Sequence, residues 1–98
     1  MASKFTAQAQ AMRDAAKQLQ TQATSYENAS NGAMTAAKTL CGQWAGDARD
    51  AFMDEQTRAE GWYKKMAELL RDYASVLNVA AQKYETADAQ AKCDIKRR

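Results

Sequence analysis

Two rows of residues repeat every seven positions in the first half of the chain, separated by alternating steps of four and three. One row is mostly large and apolar: Phe5, Met12, Leu19, Tyr26, Ala33 and Leu40. The other row is small: Ala9, Ala16, Ala23, Ser30 and Ala37. This heptad spacing predicts one long amphipathic helix over residues 4–40, with a small row that a facing backbone can approach closely. The heptad keeps its phase across Gly32, so we expect a weakened helix there rather than a boundary.

The second half repeats the pattern with bulkier residues and predicts a helix over residues 48–92. One row comprises Phe52, Ala59, Met66, Tyr73, Ala80 and Ala87. A second comprises Tyr63, Leu70, Leu77, Tyr84 and Ala91, and a third Trp62, Leu69 and Val76. Three rows make an apolar face too wide for one neighbouring helix. We therefore expect a core of the hairpin or of a dimer at Phe52, Trp62, Met66, Leu69, Leu70, Tyr73 and Leu77.

Residues 41–47 separate the two helical patterns and predict a turn. Gly42 is placed to end helix one as a left-handed cap, and Asp47 to cap helix two, with Asp50 adding favourable charge. A short connection makes the two helices antiparallel neighbours. The predicted fold is all-α: an antiparallel two-helix hairpin with Trp44 at its turn, forming a single domain over residues 1–98.

Composition adds a reason to expect a second chain. The 98 residues are 46% hydrophobic, with no proline to interrupt a long helix. Much of that hydrophobic fraction is alanine, which buries little area, so a lone hairpin would struggle to offset its chain entropy. We therefore predict association into a four-helix-bundle dimer.

The residue types argue against catalysis and against cofactor binding. The chain has no histidine and a net charge of +2, with its charges spread along the sequence. Without histidine the chain lacks the usual general base and the commonest metal ligand, and its dispersed charge gives no nucleic-acid-binding stripe. We expect no enzyme activity, no cofactor and no metal. Cys41 and Cys93 would lie about 60–70 Å apart along helix two, which excludes a disulfide within one hairpin. Whether they cross-link between chains stays open.

The chain contains no long apolar run. Neither a membrane-spanning helix nor a secretory signal peptide is therefore expected, and membrane binding is not expected either. A protein of this kind that leaves the cell would do so without a cleaved signal peptide.

Two short motifs carry a resemblance to a known family. Trp44-Ala45-Gly46 is a W-x-G at the turn of the predicted hairpin, with Leu40 before it and Phe52 after it. Tyr84-Glu85-Thr86-Ala87-Asp88 fits the pattern Y-x-x-x-[DE] near the other end. Together, in a proline-free chain of this length, they resemble the WXG family, the early-secreted-antigen-like small proteins exported by type VII secretion systems. The resemblance covers nearly the whole chain.

The resemblance implies a function, partners and a source. It implies a Gram-positive bacterial protein, folded in the cytoplasm, then secreted as a substrate, an effector or an export partner, with a role in virulence or interbacterial competition. Trp44 and Gly46 of one chain would act with Tyr84 and Asp88 of the other as a surface for the membrane ATPase of the system. A homodimer is favoured because both motifs lie on one chain, and a heterodimer with a related helical protein or toxin domain stays open.

Other interpretations of the same residues remain. A structural coiled-coil adaptor unrelated to secretion would explain the heptads equally well. A membrane-active amphipathic helix would use the basic cluster Lys96-Arg97-Arg98. For single residues, Trp44 could simply plug the end of the bundle, Tyr84 could be core, and Asp88 could be a solvated carboxylate.

Overall fold

Two long helices make up the computed structural model, which describes residues 4–97 and the side chains of residues 4–91. Helix α1 spans Lys4–Cys41 and helix α2 spans Asp47–Arg97, and no strand occurs within residues 4–97. The predicted all-α hairpin is thereby confirmed. Helix α1 runs unbroken through Gly32, and helix α2 continues five residues beyond the predicted end at residue 92.

The chain divides into two compact units. The terminal unit contains the residues up to Gln20 and those from Arg71 onward, and the turn unit is Thr21–Leu70. Each unit therefore holds a segment of α1 paired with a segment of α2. The prediction of a single domain remains a prediction.

Alanine side chains form the buried core of each unit. In the terminal unit these are Ala9, Ala16, Ala74 and Ala81. In the turn unit they are Ala23, Ala37 and Ala67, and the polar Ser30 is buried with them. No large side chain among those described is fully buried. Small side chains at a helix contact allow the two axes to approach closely, so backbone packs near backbone.

The buried row of α2 is not one of the three predicted apolar rows. Its members are spaced by seven and are small or polar: Ala67, Ala74, Ala81 and Asp88. Phe52 and Tyr73 of the predicted row are exposed on the single chain, so their place in a dimer core stays a prediction. Trp62, Leu69 and Val76 are exposed as well. Three further residues of the predicted core are half-buried: Met66, Leu70 and Leu77. The large residues flank the alanine row because only the small ones fit where the helices are closest.

The turn also differs from the predicted capping. Gly42 is not left-handed: its N–H donates to the Lys38 carbonyl at 3.0 Å, which continues α1. The next N–H, of Gln43, bonds Leu40 three residues back, so the helix tightens as it ends. At the start of α2 the cap position belongs to Gly46, whose carbonyl accepts from the Asp50 N–H. Asp47 is instead the first helical residue, where its charge suits the positive end of the helix.

Candidate functional site

The segment Tyr84–Asp88 is helical and belongs to the terminal unit. It packs against the beginning of α1 through residues at both ends of the motif. The Tyr84 ring lies against the Phe5 ring, with ring centroids 5.7 Å apart and the planes tilted by 36°. Such a tilted pair adds to the apolar area that the two rings bury. Tyr84 is only half-buried and Phe5 is exposed, so part of this ring pair faces solvent.

Asp88 is buried, with only 8% of its surface exposed. Its Oδ2 accepts a hydrogen bond from the Thr6 hydroxyl at 3.0 Å. A buried carboxylate needs such donors because removing the charge from water is costly. The interpretation of Asp88 as a solvated carboxylate is therefore wrong.

Glu85, inside the motif, forms an ion pair with Arg13 of α1. The guanidinium donates to the Glu85 carboxylate from Nε at 3.0 Å and from Nη2 as well, and it also reaches Gln82 at 3.4 Å. Both side chains are more than a third exposed, so this pair contributes little, on the order of 0–1 kcal/mol. The ion pair adds a third link between the motif and α1.

The W-x-G segment lies in the turn unit. Trp44 is 39% exposed, and its ring contacts that of Phe52 of α2, with centroids 6.0 Å apart. Its backbone N–H donates to Cys41 at 3.4 Å. More than a third of Trp44 is accessible in the single chain. The alternative that it plugs the end of the bundle stays open.

Gly46 explains why the motif needs glycine. Its φ is +105°, a conformation that residues with a Cβ rarely adopt. From this position its carbonyl accepts the first hydrogen bond of α2, 3.2 Å from the Asp50 nitrogen. The backbone conformation, not lack of space, sets the requirement, because nothing lies within 4 Å of an added Cβ.

The four motif residues fall in two different units, so each pair is described separately. Trp44 and Gly46 belong to the turn unit, and Tyr84 and Asp88 belong to the terminal unit. The arrangement in which the turn of one chain meets the motif of its partner stays a prediction.

Large apolar side chains are exposed on α2 in both units. In the turn unit Trp62 is 54% exposed, and its ring meets Tyr26 and Tyr63 at centroid distances of 6.2 and 5.1 Å. Leu69 is exposed in the same unit.

In the terminal unit the exposed large apolar residues of α2 are Tyr73, Val76 and Val79. Val76 and Tyr73 line a wholly apolar groove together with Leu19 and Leu77. Contiguous apolar surface of this kind is typical of a protein-binding face.

The described residues give little support for a disulfide, a metal site or a membrane-spanning helix. Cys41 is a half-buried free thiol, whereas the side chain of Cys93 lies outside the described set. No group of three or more cysteine, aspartate or glutamate side chains in the described part of the chain could hold a metal ion. Within residues 4–97, neither helix has a segment both long and apolar enough to cross a bilayer.

The α1 side of this site is not predicted by the sequence motifs. Phe5 lies in a heptad row, but no pattern points to Thr6 or Arg13. No local pattern pairs Thr6 with Asp88, which lie 82 residues apart in the sequence.

Comparison with known proteins identifies the family. The sequence model of the WXG100 family, described as proteins of 100 residues with WXG, matches residues 4–89. That range includes both the Trp44–Gly46 segment and the Tyr84–Asp88 segment. No curated protein and no solved structure matches the chain. The match spans most of the sequence, and the chain belongs to the WXG100 family of small type VII secretion substrates.

Proposed function

We propose that this protein is exported by a type VII secretion system as a folded helical dimer, and that it acts as a substrate or as the export partner of another protein. The observation that carries the proposal is the family match over residues 4–89, which contains both short motifs. The role requires recognition surfaces and no catalysis.

The distribution of apolar side chains supports the dimer. Alanine fills the interior of each unit, while Trp62, Leu69, Tyr73 and Val76 remain exposed. Burying such side chains gives roughly 25 cal/mol per Å² of apolar area, so a second chain over α2 would supply stabilisation that the hairpin lacks. Self-association is favoured because one chain carries both motifs, and a related helical protein or a toxin domain is the alternative occupant.

The accessibility of Trp44 and Tyr84 supports recognition by the membrane ATPase of the secretion system. Trp44 is exposed at the turn, and Tyr84 presents part of its ring beside Phe5. In the proposed dimer, Trp44 and Gly46 of one chain act with Tyr84 and Asp88 of its partner.

Export of motif variants tests the proposal. The parent, Trp44→Ala and Tyr84→Ala are expressed in a bacterium with a type VII system, and the folded protein in cells and medium is quantified. We expect both variants to be retained in the cells. Tyr63→Ala is the matched control, because Tyr63 is a half-buried tyrosine of the same heptad row outside the motif.

The outcomes separate the proposal from the adaptor alternative. Retention of Tyr84→Ala with export of Tyr63→Ala supports an export signal at Tyr84. If every variant folds and is exported at the parental level, Trp44 and Tyr84 are not part of an export signal. A parent that stays in the cells would favour the structural adaptor.

A further inference from the structure

The burial of Asp88 conflicts with direct reading of its charge by a receptor. Only 8% of Asp88 is exposed, and its carboxylate is engaged by Thr6. Tyr84, one turn earlier, is accessible beside a shallow apolar groove. That groove is lined by Phe5, Ala80, Lys83, Tyr84 and Ala87. The accessible part of the motif is therefore shared between α2 and the first turn of α1.

The first turn of α1, as described from Lys4 onward, contains no acidic residue. Lys4 itself carries a positive charge, which opposes the positive end of the helix dipole. The first four N–H groups of any helix also lack intrahelical partners. Asp88 reaches this turn from α2: it brings a negative charge to the positive end of α1, and its carboxylate accepts a hydrogen bond from the Thr6 hydroxyl.

We propose that Asp88 is a positioning residue that holds the first turn of α1 against α2, so that Phe5 and Tyr84 present one apolar surface to the secretion ATPase. Thr6 and Phe5 are then part of the export signal, although they lie far from the motif in sequence. This inference rests on the proposed function and specifies which residues form its recognition surface.

Paired variants of the Thr6–Asp88 contact test this inference in the full-length protein. Thr6→Val removes the hydroxyl with little change of shape, and Asp88→Ala removes the acceptor. Loss of a hydrogen bond to a charged group, at 1.4 kcal/mol per factor of ten, corresponds to about tenfold more frequent opening of the turn. We expect each variant to exchange the amide hydrogens of residues 8–10, which bond to the carbonyls of the first described turn, about tenfold faster. Each variant should also be exported less than the parent. The double variant should be no worse than either single one.

Conservative variants distinguish a positioning role of Asp88 from direct recognition of its charge by the ATPase. Thr6→Ser retains the hydroxyl and should export like the parent. Asp88→Asn retains an acceptor oxygen and should export closer to the parent than to Asp88→Ala. The control is Asp72→Asn, which makes the same change at an exposed carboxylate of α2 outside the motif and should leave export unchanged.

Two results would overturn the inference alone: normal export of Thr6→Val, or an Asp88→Asn variant as defective as Asp88→Ala. With the parent exported, the first result would show that the Thr6–Asp88 bond is not needed for the signal, and the second would show that the negative charge itself is required. Failure to export the parent would overturn the proposed function and this inference with it. In that case the hydrogen-exchange comparison still reports whether the contact orders the first turn.

Discussion

The Asp50 N–H donates to the carbonyl of Gly46 at 3.2 Å, and this bond begins α2 while Gly46 has a φ of +105°. The glycine of the W-x-G segment is thus the cap residue of the second helix. Its role follows from backbone geometry, and the tryptophan two residues earlier is left exposed beside Phe52.

Gly46→Ala should lower the free energy of unfolding by about 1–3 kcal/mol, because a Cβ is strained at this backbone conformation. Urea denaturation followed by circular dichroism measures the change. Gly32→Ala is the control: Gly32 lies inside α1 with nothing within 4 Å of an added Cβ. It should raise the free energy of unfolding by about 1 kcal/mol. Equal effects of the two substitutions would contradict the assigned role of Gly46.

Ser30→Ala should stabilise the protein. The Ser30 hydroxyl is buried and has no hydrogen-bond partner among the described residues. Removing an unsatisfied hydroxyl and adding a better helix former should raise the free energy of unfolding by about 1 kcal/mol. The matched reverse change is Ala23→Ser, which places a hydroxyl in the same buried row one heptad earlier and should destabilise. A destabilised Ser30→Ala variant would show that the hydroxyl has a partner in solution.

Val76→Lys should weaken the dimer, because Val76 is 66% exposed within the apolar surface of the terminal unit. A charge forced into an apolar interface should raise the dissociation constant about tenfold or more. Light scattering after size exclusion, under reducing conditions, measures the molar mass over a dilution series. Ser75→Lys adds the same charge at the adjacent exposed position, in a polar row, and serves as control. If both variants dissociate alike, or neither does, α2 does not use this surface for self-association. A monomeric parent would indicate that the face binds a different chain.

The sequence predicted the helices and the turn because their signals are local. Seven-residue spacing across Gly32, the absence of proline and the glycines at residues 42 and 46 suffice for two helices and a break. The buried row Ala67, Ala74 and Ala81 was missed because alanine is frequent on every face of these helices. A heptad pattern is recognised by its large apolar side chains, which lie in the neighbouring rows. The two helices approach each other most closely at the smallest residues.

The candidate site was predicted only in part. A motif points to Tyr84 and Asp88, but the hydrogen bond of Asp88 comes from Thr6, which lies 82 residues away in sequence. Likewise, the cap of α2 is Gly46 and not the predicted Asp47, because the cap position depends on a backbone torsion and on the direction of a carbonyl. Residue type alone does not encode either relationship.

Export that depends on the secretion ATPase tests the central claim most directly. Matched cultures with and without the type VII membrane ATPase express the parent protein, and the amount of folded protein in cells and medium is compared, with a cytoplasmic marker to correct for lysis. The account predicts the protein in the medium only when the ATPase is present. Equal amounts in both media, or retention in the cells of both cultures, would contradict it.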